Sequence, residues 1–269
     1  VRADTTGKIS LDHIYTQPDP RPYFTTLRDL DYHIPTHAKP HFSRIIDEYR
    51  RARGVSRPTV LDIGCSYGIN AVLLRCDTTM EELYERYCDP QALALSRGEL
   101  QARDRDLMRL RGRRTSPRFV GLDSSHQALS YALGAGFIDG AVHADLERTT
   151  ATDRQRAQLA EADLVISTGC LGYVGERTLW QVATARDEHR PWMAHFVLRM
   201  FPFEPIAERL AEAGYRTVRH EGLFRQRRFA TAAEQESVLQ RLAEVGVDSR
   251  GLEEEGWFYA QLYLSRPAD

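Results

Sequence analysis

At 269 residues, 42% hydrophobic and 28% charged, the chain has a globular composition and enough length for one full core, or a core with a small cap. Its formal charge of −2 gives no global attraction to nucleic acid or anionic lipid, and no apolar run approaches the roughly 20 residues of a membrane-spanning helix. The four cysteines (Cys65, Cys76, Cys88 and Cys170) show no CxxC spacing, which argues against a zinc site and against a disulfide framework.

Residues 1–56 read as an N-terminal arm and helix that cap the core. The opening "VRADTTGKIS" lacks the apolar segment of a secretion signal, so the cytoplasm is the expected compartment. Up to residue 37, prolines and aromatics follow no period. Phe42, Ile45, Ile46 and Tyr49 then fall at i, i+3, i+4 and i+7, which predicts a one-faced helix over 41–49. His33, His37 and His41 are spaced by four, but Pro35 and Pro40 are expected to keep them off one helical face. No metal site is therefore expected, and His33 and His37 stay as candidates beside a substrate.

From 57 to 269, strand-like and helix-like segments alternate. "TVLDI" (59–63) predicts a buried strand, "GCSYG" a tight turn and "INAVLLR" the start of a helix. Residues 77–115 look like a helical insertion in two pieces divided near Pro90, expected as a lid over the substrate side. Within it, the arginines of "RDRDLMRLRGRRTSPR" interleave with Asp104 and Asp106, which suits a solvated helix better than an RNA-binding face. Further strands are predicted at "RFVGLD" (118–123), "GAVHADL" (140–146), "ADLVIST" (162–168), "AHFVLRM" (194–200) and "YRTVRHEGLF" (215–224). The near-strict alternation of "WFYAQLYLSR" (257–266) suits a terminal antiparallel strand. The whole implies an α/β fold, a mostly parallel sheet with helices on both faces.

A strand, a glycine turn and a helix N-terminus make a place for a nucleotide-like ligand, either a dinucleotide or S-adenosylmethionine (SAM). The dinucleotide fingerprint G-x-G-x-x-G requires glycine where this chain has Ser66 and Ile69, and it fails on those two of its three positions. The run Asp62-Ile63-Gly64-Cys65-Ser66-Tyr67-Gly68, followed in order by "VGLDSS", "HADLE" and "DLVISTG", resembles the class I SAM-dependent methyltransferases. The resemblance implies a Rossmann-like seven-stranded sheet with the last strand antiparallel, and SAM as cofactor. On the matching positions, Asp123, with Ser124 beside it, would take the ribose hydroxyls. Asp145 and Leu146 would hold the adenine, and Gly64, Ser66 and Gly68 would admit the ligand to the backbone. Asp62 would order the turn and face the ammonium group, and Thr168 would border the methyl-donor end.

For the acceptor side, Tyr173 is expected to orient acceptor or sulfonium. Arg199 is expected to end the fifth strand at the pocket mouth, with Arg225, Arg227 and Arg228 brought toward the same edge, as anchors for a carboxylate. His126 and His195 are possible bases. The expected partner is a small-molecule acceptor, an anionic metabolite or natural-product intermediate. The alternatives are RNA or protein as acceptor, or a SAM-binding protein without transferase activity. Neither the acceptor's identity nor the oligomeric state follows from the sequence.

Overall fold

The computed structural model describes residues 11–187 and 189–268. Three helices precede the sheet: α1 (Asp12–Tyr15), α2 (Arg21–Asp29) and α3 (Ile34–Arg53). Strand β1 (Thr59–Ile63) leads into α4 (Ile69–Cys76), and α5 (Met80–Cys88), α6 (Pro90–Ala94) and α7 (Arg97–Arg111) then interrupt the alternation. It resumes with β2 (Arg118–Asp123), α8 (His126–Ala135), β3 (Gly140–His143), α9 (Asp153–Leu159), β4 (Leu164–Thr168), α10 (Glu176–Ala183), β5 (Trp192–Leu198) and α11 (Glu204–Glu212). The chain closes with β6 (Tyr215–Arg228), α12 (Ala232–Glu244) and β7 (Trp257–Pro267).

The strand order is β3-β2-β1-β4-β5-β7-β6, with every strand parallel except β7, which runs antiparallel to β5 and β6. This is the Rossmann-like sheet implied by the sequence. Strand alternation divides the core between its two faces. Val60, Phe119 and Leu164 pack with α3, α4 and α8, whereas Leu61, Val120 and Val165 pack toward α10 and α11. Strand order reverses between β1 and β4, and a crevice opens beyond their carboxyl ends, where open parallel sheets bind ligands. Among the described residues, no helix is long and apolar enough to cross a membrane.

Two expectations need correction. Helix α3 begins at Ile34, so His37 and His41 share one helix with His33 at its N-cap. Pro35 sits in the first turn, where its missing N–H costs nothing, and Pro40 forgoes one helical bond without ending the helix. No three His, Cys, Asp or Glu side chains converge on a metal position among the described residues.

The second correction concerns the insertion, which is not a lid. No residue of 77–115 lines the cavity in this crevice. Capping boxes at Thr79/Glu82 and Ser96/Glu99 start α5 and α7. The helices then pack against α2 from outside: Tyr87 stacks on Phe24 at 4.4 Å, and Arg21 donates to the carbonyls of Ala92, Leu93 and Leu95. Tyr84 donates to the Tyr32 carbonyl at 2.7 Å. Most of α7 is solvated, but Asp104 is fully buried, accepting from Arg86, Tyr87 and Tyr131. The insertion is a buttress for the N-terminal arm, and the arm is what covers the site.

Candidate active site

A cavity of about 340 Å³ lies over the carboxyl ends of β1, β2 and β4 and the loop after β3. Its floor is the turn after β1. Gly64, Ser66 and Gly68 all have positive φ (65°, 51° and 80°), a conformation that strains the one side-chain-bearing residue among them. Gly64 allows a close approach as well, since a Cβ there would fall 2.7 Å from that of Cys170. The Ser66 Oγ is buried with no hydrogen-bond partner.

Asp123, ending β2, accepts the Ser66 and Ser125 backbone N–H groups, each at 2.8 Å. Each carboxylate oxygen thereby keeps a lone pair for a ligand hydroxyl. Burial raises its pKa, and these backbone bonds act against the rise. Ser124 is exposed at the cavity edge, and its carbonyl lies 3.0 Å from His143 Nε2. Asp145 and Leu146 line the far end, Asp145 exposed and Leu146 buried. Glu147 accepts the Gly175 and Thr178 N–H groups, capping α10 beside the cavity.

Asp62 does not reach the cavity wall, contrary to the expected contact with an ammonium group. It is fully buried, and Asn70 stands between, its Nδ2 donating to both Asp62 oxygens (3.1 and 3.3 Å) and to Thr168 Oγ1 (3.2 Å). Asn70 and Thr168 are the groups presented to a ligand there, with Asn70 Oδ1 as acceptor. Burial pushes the Asp62 pKa up to about 7; Asn70 acts against this shift and the Asp123 charge adds to it. The folded state therefore holds this proton where an unfolded aspartate, with a pKa of about 3.9, would release it. Its stabilising effect is complete at acid pH and is lost as pH rises through 7. Urea unfolding at pH 5 and pH 8 should show a larger loss of stability for the wild type than for Asp62→Asn. An equal pH dependence in both would contradict this.

The roof comes from the N-terminal arm and the end of β6. Tyr15, Tyr23, Leu27, Tyr32 and Pro35 face the cavity from α1, α2, the turn that follows it and the start of α3. Burial keeps the tyrosine hydroxyls protonated, pushing Tyr15 to about 12 and raising Tyr23 and Tyr32 further. Strand β6 reaches the roof because its register shifts twice, between Arg219 and Leu223 and between Arg225 and Arg228. Its end is stitched to the arm: His33 N–H donates to the Gln226 carbonyl at 2.8 Å, and Arg228 N–H to the Leu30 carbonyl at 2.7 Å. Gln226 and Arg227 thus line the cavity, and Arg227 is buried in a two-pronged pair with Glu234 (2.7 and 3.0 Å).

Of the residues expected from sequence, Gly64, Ser66, Asp123, Ser124, Asp145, Leu146, Thr168, Tyr173 and Arg227 line this cavity, Arg227 with its guanidinium paired to Glu234. Tyr173 stands at the rim, about half exposed. Gly68 caps α4 behind the turn, where a Cβ would meet Phe137. His33 points to Glu81 (3.6 Å) and His37 to Phe224, both away from the cavity that their neighbours Tyr32 and Pro35 line. Arg199 lies elsewhere, with Nη1 2.6 Å from Glu253 and Nη2 donating to the Asp248 carbonyl, on the wall of a separate cavity. Arg225 bonds Tyr259 and Arg228 pairs with Asp31. His195 is buried against Ser167, its pKa pushed down to about 3, so it is a neutral core histidine and not a base. Asn70, the roof tyrosines and Gln226 were not singled out from sequence. The polar Asn70 opening an otherwise apolar helix was the one visible signal.

No protein-family model matches the chain, and no curated protein matches it. Solved structures resemble it at low similarity. Magnesium protoporphyrin IX methyltransferase from Synechocystis PCC 6803, with bound SAM, is 11% identical over 85% of this chain and 79% of that one, with a TM-score of 0.40. The ribosomal protein L11 methylase from Lactobacillus delbrueckii subsp. bulgaricus is 13% identical over 84% and 78%, TM-score 0.36. A plantazolicin methyltransferase in complex with a desmethyl analogue and S-adenosylhomocysteine (SAH) is 12% identical over 82% and 81%, TM-score 0.38. Likenesses this distant assign no activity.

Proposed function

We propose that the chain is a SAM-dependent methyltransferase (EC 2.1.1.-) acting on a small-molecule acceptor. The observation that carries this reading is the convergence of Asp123, Asp145 and the strained Gly64–Ser66–Gly68 turn at one crevice, with Asp123 held by two backbone N–H groups and the Ser66 hydroxyl left for a ligand. When bound, SAM supplies a methyl group on a sulfonium, electrophilic enough to need no metal.

This chain's residues would bind, align and exclude water. Asp123 would accept both ribose hydroxyls and Leu146 would give an apolar edge and a backbone N–H to the adenine, with Asp145 accepting its amino group. Asn70 and Thr168 would hold the amino-acid end, and Gly169 would leave room beside it. The roof of α1 and α2 would shed water from the transfer point and align the acceptor, which is the main catalytic demand of direct transfer. Cys170 takes no covalent part, because burial pushes its thiol up to about 12.

A roofed cavity suits a metabolite or natural-product intermediate rather than a folded RNA or protein. For a carboxylate-bearing acceptor the lining offers little. Among the described residues its acids are Asp12, Asp123, Asp145 and Glu147, and its one arginine, Arg227, is paired with Glu234. With Arg199 paired to Glu253, an uncharged acceptor fits better. The absence of a membrane-crossing helix among the described residues is compatible with the cytoplasm as the working compartment. Calorimetric titration with SAH and NAD tests the reading. Saturable SAH binding with none of NAD is expected, and preference for NAD would overturn it.

A further inference from the structure

The roof holds a polar group with an unmet hydrogen bond. Gln226 is 4% exposed, lines the cavity, and has its Oε1 buried without a partner. Leaving a buried amide oxygen unpaired is costly, so its presence at a binding cavity points to a partner that arrives with a ligand. The backbone cannot swing it away, because the Gln226 carbonyl is bonded to His33, Arg227 is locked to Glu234, and the Arg228 N–H is bonded to Leu30. The amide lies over Gly169, where a Cβ would fall 2.2 Å from its Nε2. That is the residue after Thr168, at the end of β4 assigned above to the methyl donor. Around it stand Tyr15, Tyr23, Tyr32, Leu27 and Pro35, surfaces for an aromatic ring.

We infer that Gln226 is a specificity-determining residue for the acceptor, its Oε1 accepting a hydrogen bond from an O–H or N–H on an uncharged, ring-bearing molecule packed against the roof tyrosines. A carboxylate has no proton to give this oxygen, which disfavours the anionic class on chemical grounds. The inference rests on the methyltransferase reading for the role of the bound molecule, but the hydrogen bond can be tested apart from it.

Phenol and anisole are suitable probes, one ring with and without the donor, titrated by NMR into the SAH-saturated protein. Wild type should bind phenol about tenfold more tightly than anisole, the worth of one hydrogen bond. In Gln226→Met the ratio should fall to near one with SAH affinity unchanged, and Gln226→Glu should keep the preference. Gly169→Ala, whose methyl would displace the amide, gives a second route if Gln226→Met does not fold, and should also lower the ratio. The inference is overturned if wild type does not discriminate or binds neither probe. The same follows if the ratio survives in Gln226→Met, or if that variant loses SAH affinity, which would put Gln226 in the cofactor site. Failure of SAH to bind wild type would sink the methyltransferase reading instead, and the phenol-to-anisole ratio in the free protein would still decide for or against Gln226.

Discussion

Replacing Arg227 by methionine is expected to lower stability by about 3–5 kcal/mol, the cost of leaving one member of a buried pair without its partner. The Arg227 and Glu234 side chains are 4% and 0% exposed. Glu234 also accepts the Ala230 N–H near the start of α12, and the Arg227 guanidinium lies 4.4 Å above the Phe258 ring. Methionine keeps much of the apolar stem but removes the guanidinium that the buried carboxylate faces. Removing the charge from both, as in Arg227→Met with Glu234→Leu, should recover a large part of the loss, because the penalty comes from the uncompensated charge rather than from lost packing. Urea unfolding of both variants beside the wild type checks this. A single variant within about 1 kcal/mol of wild type would show that water reaches the pair and screens it.

Asp123→Ala is expected to weaken SAM or SAH binding by about 1.5–3 kcal/mol, roughly ten- to hundred-fold, the worth of hydrogen bonds to a charged group. The upper part of that range is favoured because the carboxylate has two tasks. It would hold the ribose, and it already ties the Ser66 and Ser125 N–H groups together across the turn. Asp145 is exposed and makes no comparable backbone clasp, so Asp145→Ala should cost less. Calorimetry on both variants gives the comparison. Binding indifferent to Asp123→Ala would remove the ribose assignment.

What could be read from the sequence was local. The turn residues Gly64, Ser66 and Gly68, and the acids ending strands, follow from short apolar runs that end in a glycine turn or an acid. The mostly parallel sheet follows from the alternation of strands and helices, and its seven-stranded form from the family resemblance. What could not be read depended on distant partners. Arg199 does stand beyond β5, but Glu253, 54 residues later, takes its guanidinium. The arm's tyrosines show no period because α1 and α2 are short and bury their rings against the turn before α4, against α5 and against one another. At the end of β6, Arg227 is reached from the sequence but Gln226 is not, since two register shifts bend both over a cavity three strands away from that edge of the sheet. Pro40 misled, because a helix anchored on a buried apolar face tolerates one missing bond.

The most direct test of the central claim is a crystal structure of the protein with SAH. It should show the ribose hydroxyls on Asp123, the adenine between Asp145 and Leu146, and the amino-acid end at Asn70 and Thr168. The sulfur should lie beneath Tyr32 and Gln226. SAH bound outside this cavity, or bound within it with the ribose away from Asp123, would contradict the account.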